Sequence, residues 1–145
     1  MAEEYWTIAP EAYRGLLQVN RSLKEGVLPP KLLHLVYLRA SQLNGCAYCC
    51  DMHTHEAIKD GESAQRLHCV AAWRDAPFFD EKERAALAWT EALTRLADRP
   101  VPEELHAEVR LALSEREFVE LTFAVASINA FNRLSVGTQR QPKPR

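Results

Sequence analysis

No stretch of this chain stays apolar for the roughly 20 residues that a bilayer-spanning helix needs, so no membrane span is expected. The opening M-A-E-E-Y-W has neither a basic start nor a signal-like apolar run, and the expectation that follows is a cytoplasmic protein. Eighteen Lys and Arg against twenty Asp and Glu leave a formal net charge of −2 and no block of like charge. Nucleic acid and anionic membrane surfaces are therefore not expected partners. Glycine is scarce, at 5 of 145 residues, and no internal repeat or low-complexity stretch is evident. What is there, 47% apolar and 26% charged residues, suits one ordinary globular domain with its own core.

Strand signals are nearly absent as well, whereas helix signals recur. Pro10 can start a helix carrying Tyr13, Leu16, Leu17 and Leu23, which Gly26 would end. Pro29 and Pro30 open K-L-L-H-L-V-Y-L-R-A-S-Q-L, which could pass for a buried strand, but its length and its proline start favour a buried helix running into Asn44-Gly45. The segment from Cys46 to about Lys59 is closed by Asp60-Gly61, and Ala64, Leu67, Cys69, Val70 and Trp73 mark a fourth helix. Asp80 with Glu83 and Ser114 with Glu117 read as capping boxes for two further helices, the second running through Val136 to Gly137. Leu105, Val109 and Leu113 give a short helix between them. The expected architecture is thus an all-α, single-domain bundle of about seven helices over residues 1–137, followed by a disordered tail over 138–145 with nothing apolar to bury.

Against this ordinary background, residues 44–55 read N-G-C-A-Y-C-C-D-M-H-T-H. Three of the four cysteines and two of the five histidines fall in that stretch. A redox dithiol, a metal site and a chance cluster of small buried residues all compete to explain it. In a reducing compartment a C-x-x-C is more often catalytic or metal-binding than a structural disulfide. At about 100° per residue, Cys46, Cys49 and His53 share one helix face while His55 falls opposite. Cα atoms three apart in a helix lie roughly 5 Å from one another, within the range of about 4.4–6.8 Å for a disulfide, whereas adjacent Cys49 and Cys50 are badly placed to bond. The pair to consider is Cys46–Cys49.

Cys46 would sit at or beside a helix N-terminus, where amide groups and the macrodipole favour an anion. Lowering a thiol pKa from about 8.5 to about 6.5 takes roughly 2.7 kcal/mol, and a helix end typically supplies only about 0.3–1. A neighbouring base must supply the rest, and His53 is on the right face. Structural zinc needs four ligands, and C-x-x-C with His53 lacks an obvious distant pair, so neither a metal nor a cofactor is expected.

Three elements in order, A-S-Q-L-N-G-C-A-Y-C-C-D-M-H, R-L-H-C-V-A-A-W-R-D-A-P-F-F-D and S-I-N-A-F-N-R-L, resemble the carboxymuconolactone decarboxylase superfamily in its alkylhydroperoxidase D-like (AhpD-like) branch. The resemblance covers roughly residues 30–137. It implies an all-helical homo-oligomer, a trimer or hexamer, with its redox pair near subunit contacts. It also implies antioxidant peroxidase activity, in which Cys49 attacks a hydroperoxide, Cys46 closes the disulfide, His53 relays protons and an external lipoyl- or thioredoxin-like dithiol restores the thiols. The peroxidase members carry a glutamate twelve residues before the first cysteine, where this chain has His34. His34 is therefore the fourth candidate catalytic residue, with an imidazole in place of a carboxylate.

Other readings attach to single residues. Lactone decarboxylation, the other activity of the superfamily, or a non-catalytic helical or zinc module are the rival functions. Cys50 and Cys69 read as small buried hydrophobes, Trp73 and Trp89 as core or subunit contact. Asn129 and Asn132 on the last helix read as buried hydrogen-bond partners between helices. The stretches L-L-H-L-V-Y-L and F-V-E-L-T-F-A-V-A-S-I offer more apolar face than a small monomer easily covers, and the first, with Leu35, is expected to meet another subunit.

Overall fold

The apolar stretch after Pro29-Pro30 is a helix, the third of eight among the described residues. The computed structural model describes residues 4–145. Its helices are α1 (Tyr5–Ile8), α2 (Pro10–Lys24), α3 (Pro30–Leu43), α4 (Ala47–Lys59), α5 (Ala64–Cys69), α6 (Glu81–Thr94), α7 (Glu103–Ala112) and α8 (Glu115–Gly137). No strand occurs among the described residues, so the all-α expectation holds. The expected domain begins at residues 1–3, which lie outside the described residues.

Two details differ from the expected seven helices. The four-residue α1 has no side-chain N-cap and buries nothing, so it left no periodic pattern to read. The fourth helix gives way at Val70 to a 3-10 turn, Val70–Ala72. Residues three apart eclipse in that geometry, and Val70 and Trp73 are buried together. Elsewhere the local signals decide the elements. Pro10 and Pro30 occupy first-turn positions of α2 and α3, where a missing N–H costs nothing. Both capping boxes form, Asp80 with Glu83 on α6 and Ser114 with Glu117 on α8.

Helix α3 is the axis of the bundle and packs against α4, α6 and α8. Its residues Leu32 to Leu38 are all buried. Leu33, Val36, Tyr37 and Ala40 join one core cluster with residues of α6, α7 and α8, while Leu35 and Leu38 join a second with Ala57, Leu67, Trp73 and Leu87. Each buried leucine is worth about 1.5–3 kcal/mol, which is what fixes α3 against its neighbours. Leu35 is wholly buried within the chain itself. The expectation that its face meets another subunit is therefore wrong, because α3 finds apolar partners on both sides. The exposed apolar residues lie elsewhere, among them Val119 and Phe123 on α8.

Beyond α8 the chain has no helix. Arg140, in that tail, lies over the Tyr48 ring at 3.8 Å and over Trp6 at 4.3 Å, and Arg145 pairs with Asp51 at 2.7 Å. The C-terminal tail thus lies against α4, with Trp6 beside it.

Candidate active site

The turn Asn44-Gly45 joins α3 to α4 by a Schellman motif. The Cys46 N–H donates to the Ser41 carbonyl at 3.0 Å and the Gly45 N–H to that of Gln42 at 3.2 Å. This pattern requires a left-handed residue, and Gly45 supplies it with φ +64°; a Cβ there costs roughly 1–2 kcal/mol. Closing α3 in this way makes Cys46 the N-cap of α4, and its Sγ accepts from the Cys49 N–H at 3.2 Å. Cys46 and Cys49 are disulfide-bonded, with Cα atoms 5.3 Å apart. Both are almost fully buried. The pairing deduced from helix geometry is the one observed, and Cys50 and Cys69 are free, partly buried and packed against the second core cluster. Burial pushes the Cys50 thiol pKa up, which makes it a poor nucleophile.

Cys49 lines a cavity of about 540 Å³ between α2, α3, α4 and α8. His34 and His53 line the same cavity, so three of the four candidate residues converge there, while Cys46 lies behind Cys49. The far walls are apolar and aromatic, with Leu33, Ile128, Phe131, Tyr13 and Tyr48 among them.

The polar side of the cavity is unusual in what it leaves unpaired. His34 Nε2 lies 2.6 Å from the Asp60 carboxylate, and Asp60 has its pKa lowered, chiefly by that hydrogen bond. An ionised carboxylate only accepts, so Nε2 carries the proton. Buried His34 Nδ1, His53 Nδ1 and the Tyr37 hydroxyl have no hydrogen-bond partner among the described residues, although such groups cost about 1–3 kcal/mol each when unpaired. Burial, then the charges of His34 and Lys24, lower the His53 pKa to about 3. His53 is therefore a neutral imidazole near neutral pH, and too weak a base to hold a thiol's proton. Tyr37, 5.0 Å from His53 between ring centres, has its pKa raised to about 12 by burial and by Glu56, so its hydroxyl stays protonated.

Donor atoms of His34, His53 and Glu56 lie within 4.8 Å of one another. Two imidazoles and a carboxylate are a donor set that divalent metals accept. Neither Cys46 nor Cys49 belongs to it.

Tyr37, Glu56 and Asp60 did not stand out in the sequence as site residues. Tyr37 follows His34 by three and Glu56 follows His53 by three, the spacing that puts side chains on one helix face. Asp60 carried no such signal, since it reaches His34 from 26 residues away. The asparagines did stand out, and they fulfil the reading given them. Asn44 Nδ2 donates to Asn129 Oδ1 at 3.0 Å and to Asn132 Oδ1 at 2.9 Å, and Asn132 Nδ2 donates to Ser41 Oγ at 3.0 Å. That network ties α8 to the turn that carries Cys46.

A helical bundle with a C-x-x-C disulfide opening one helix, beside a cavity with two buried imidazoles, defines an AhpD-like protein. Residues 10–92 match the carboxymuconolactone decarboxylase family, and the chain belongs to that family. It is 37% identical over 132 residues to the uncharacterized protein YdfG of Bacillus subtilis (strain 168), spanning 91% of this chain and 90% of that one. A protein of unknown function from Agrobacterium tumefaciens, a candidate antioxidant defence protein AhpD, is 35% identical, with a TM-score of 0.92 over 97% of each chain. The debrominase Bmp8, solved with 2,3,4-tribromopyrrole, shares the fold at 19% identity, with a TM-score of 0.87 over 98% of this chain and 76% of its own.

Proposed function

We propose that this protein is a thiol-dependent peroxidase that reduces hydroperoxides and cycles between the Cys46–Cys49 dithiol and its disulfide. The observation that carries the reading is the disulfide itself, with one sulfur, that of Cys49, on the cavity and the other behind it. In the forward half-reaction the Cys49 thiolate attacks the outer oxygen of the hydroperoxide, breaks the O–O bond and becomes a sulfenic acid. The alkoxide that leaves takes up the proton lost by the thiol, held meanwhile on the His34 imidazole. Cys46 then attacks the sulfenic sulfur and expels water, forming the disulfide. The sum is one hydroperoxide and two thiols to one alcohol, one water and one disulfide.

An external dithiol must reverse the oxidation. With both sulfurs almost fully buried, a slender, lipoyl-like reductant reaching through the cavity fits better than the broad face of a thioredoxin-like partner. Its thiolate would attack Cys49 and expel the Cys46 thiolate, onto which the Cys49 N–H already donates. Leaving sulfurs stabilised in this way leave faster. No helix among the described residues is long and apolar enough to cross a membrane, and a cytoplasmic site of action completes the proposal. So does a homo-oligomer, a trimer or hexamer, built on exposed apolar residues such as Val119 and Phe123 rather than on Leu35; light scattering that finds only an active monomer would remove it.

The test is a thiol count on the fully reduced protein before and after one equivalent of an organic hydroperoxide. Free thiols should fall from four to two, and Cys49→Ser should abolish both the loss and hydroperoxide consumption. An unchanged thiol count, or lactone turnover that survives Cys49→Ser, would overturn the reading.

A further inference from the structure

Asp60 occupies an awkward position for an acid. It is the C-cap of α4, where the helix dipole disfavours negative charge. A Schellman turn holds it there, with the Glu62 N–H on the Ala57 carbonyl at 2.9 Å and Gly61 at φ +82°. The hydrogen bond recorded for its side chain is the one to His34 Nε2, at 2.6 Å. The carboxylate is half exposed while the imidazole it meets is buried, and the second imidazole nitrogen, Nδ1, is unpartnered. The other buried imidazole, His53, has no comparable anchor, since its nearest carboxylate, Glu56, is 3.8 Å away.

We propose that Asp60 is a positioning residue for this site, locking His34 in the Nε2–H tautomer so that Nδ1 presents a lone pair to the proton leaving the thiol. The inference rests on the peroxidase reading above. When Cys49 loses its proton, His34 Nδ1 takes it up and the resulting imidazolium stays paired with the Asp60 carboxylate. When the alkoxide leaves, the same proton passes back to its oxygen, so none is gained or lost over the cycle. His53 lacks such a partner and stays neutral beside the path. Outer carboxylates that orient an imidazole typically change activity about 10–100-fold when removed.

The experiment combines nitrogen-15 NMR of the histidine rings with hydroperoxide turnover, in wild type, Asp60→Ala, His34→Glu and the double variant. Wild type should show His34 protonated on Nε2, and Asp60→Ala should give a mixture of tautomers and a turnover loss of about 10–100-fold. In the His34→Glu background a carboxylate already stands in the cavity, so most of that loss should vanish, a coupling that a mere helix-end role cannot produce. A wild-type proton on Nδ1, an unaltered tautomer in Asp60→Ala, or an equal loss in both backgrounds would overturn the proposal. If wild type consumes no hydroperoxide, the peroxidase reading fails, and the tautomer by itself still decides whether Asp60 sets the imidazole.

Discussion

Helix α3 sends polar side chains into two buried places and treats them in opposite ways. At its C-terminal end, Ser41 and Asn44 join Asn129 and Asn132 in a network in which each side chain has a partner. One to two turns earlier, His34 and Tyr37 meet His53, and three polar atoms there have none among the described residues. Burying a polar group is costly unless a hydrogen bond replaces the one lost to water. The first place is therefore a fastener that sets the turn before Cys46. The second keeps its bonding capacity open beside a cavity, as the proposed peroxidase site requires.

The largest effect that could break this contrast is on the fastener. Asn132→Leu removes the amide that joins Asn44 to Ser41 and leaves both short of a partner, and it should cost about 2–4 kcal/mol. His53→Leu, of similar burial, should cost far less or even stabilise, because no intrachain bond to Nδ1 is lost. Urea titration of the two variants measures the difference; equal losses would mean that the imidazole cluster is also a fastener.

Acid should act next, and first on the open site. The His53 pKa is about 3 in the folded chain and about 6.5 when unfolded. Between those values the unfolded chain binds a proton that the folded chain refuses. Stability is thus complete above about pH 6.5 and falls as pH drops, by at most about 1.4 kcal/mol per unit. Carboxylates with lowered pKa values, Asp60 and Glu117, add their own loss only nearer pH 4. Between about pH 6.5 and 5, roughly 2 kcal/mol at most should disappear in wild type and not in His53→Leu. Parallel curves for the two would reassign the acid sensitivity to another group.

The same contrast divides what was legible in the sequence. Proline starts, capping boxes and the Asn44-Gly45 turn are local devices, and they located α2, α3, α6 and α8 and put Cys46 at a helix start. Helix periodicity then paired Cys46 with Cys49 and placed His53 beside them. Missing from that reading was whatever depends on distant segments meeting. Asp60 read as a helix stop because only the folding of α4 back along α3 makes it a partner of His34. Leu35 read as a subunit contact because apolarity reports burial without saying in which partner. Tyr37 read as one more apolar residue, since no sequence pattern distinguishes a buried hydroxyl that is bonded from one that is not.

Tyr37 therefore gives the finest test. Tyr37 lines the cavity; its hydroxyl is buried without a partner among the described residues, while its ring packs in the first core cluster. Tyr37→Phe keeps the ring and deletes an unpaired polar atom, so thermal stability should stay level or rise by up to about 1 kcal/mol. Ser41→Ala, one turn of α3 beyond Tyr37, should lose about 1 kcal/mol with its bonds to Asn132 and to the Tyr37 carbonyl. If the Tyr37 hydroxyl awaits substrate, Tyr37→Phe should also raise the KM for hydroperoxide more than it lowers kcat. A stability loss as large as that of Ser41→Ala would mean ordered water already satisfies the hydroxyl in solution. The cavity floor would then be a second fastener, and the contrast with the asparagine network would collapse.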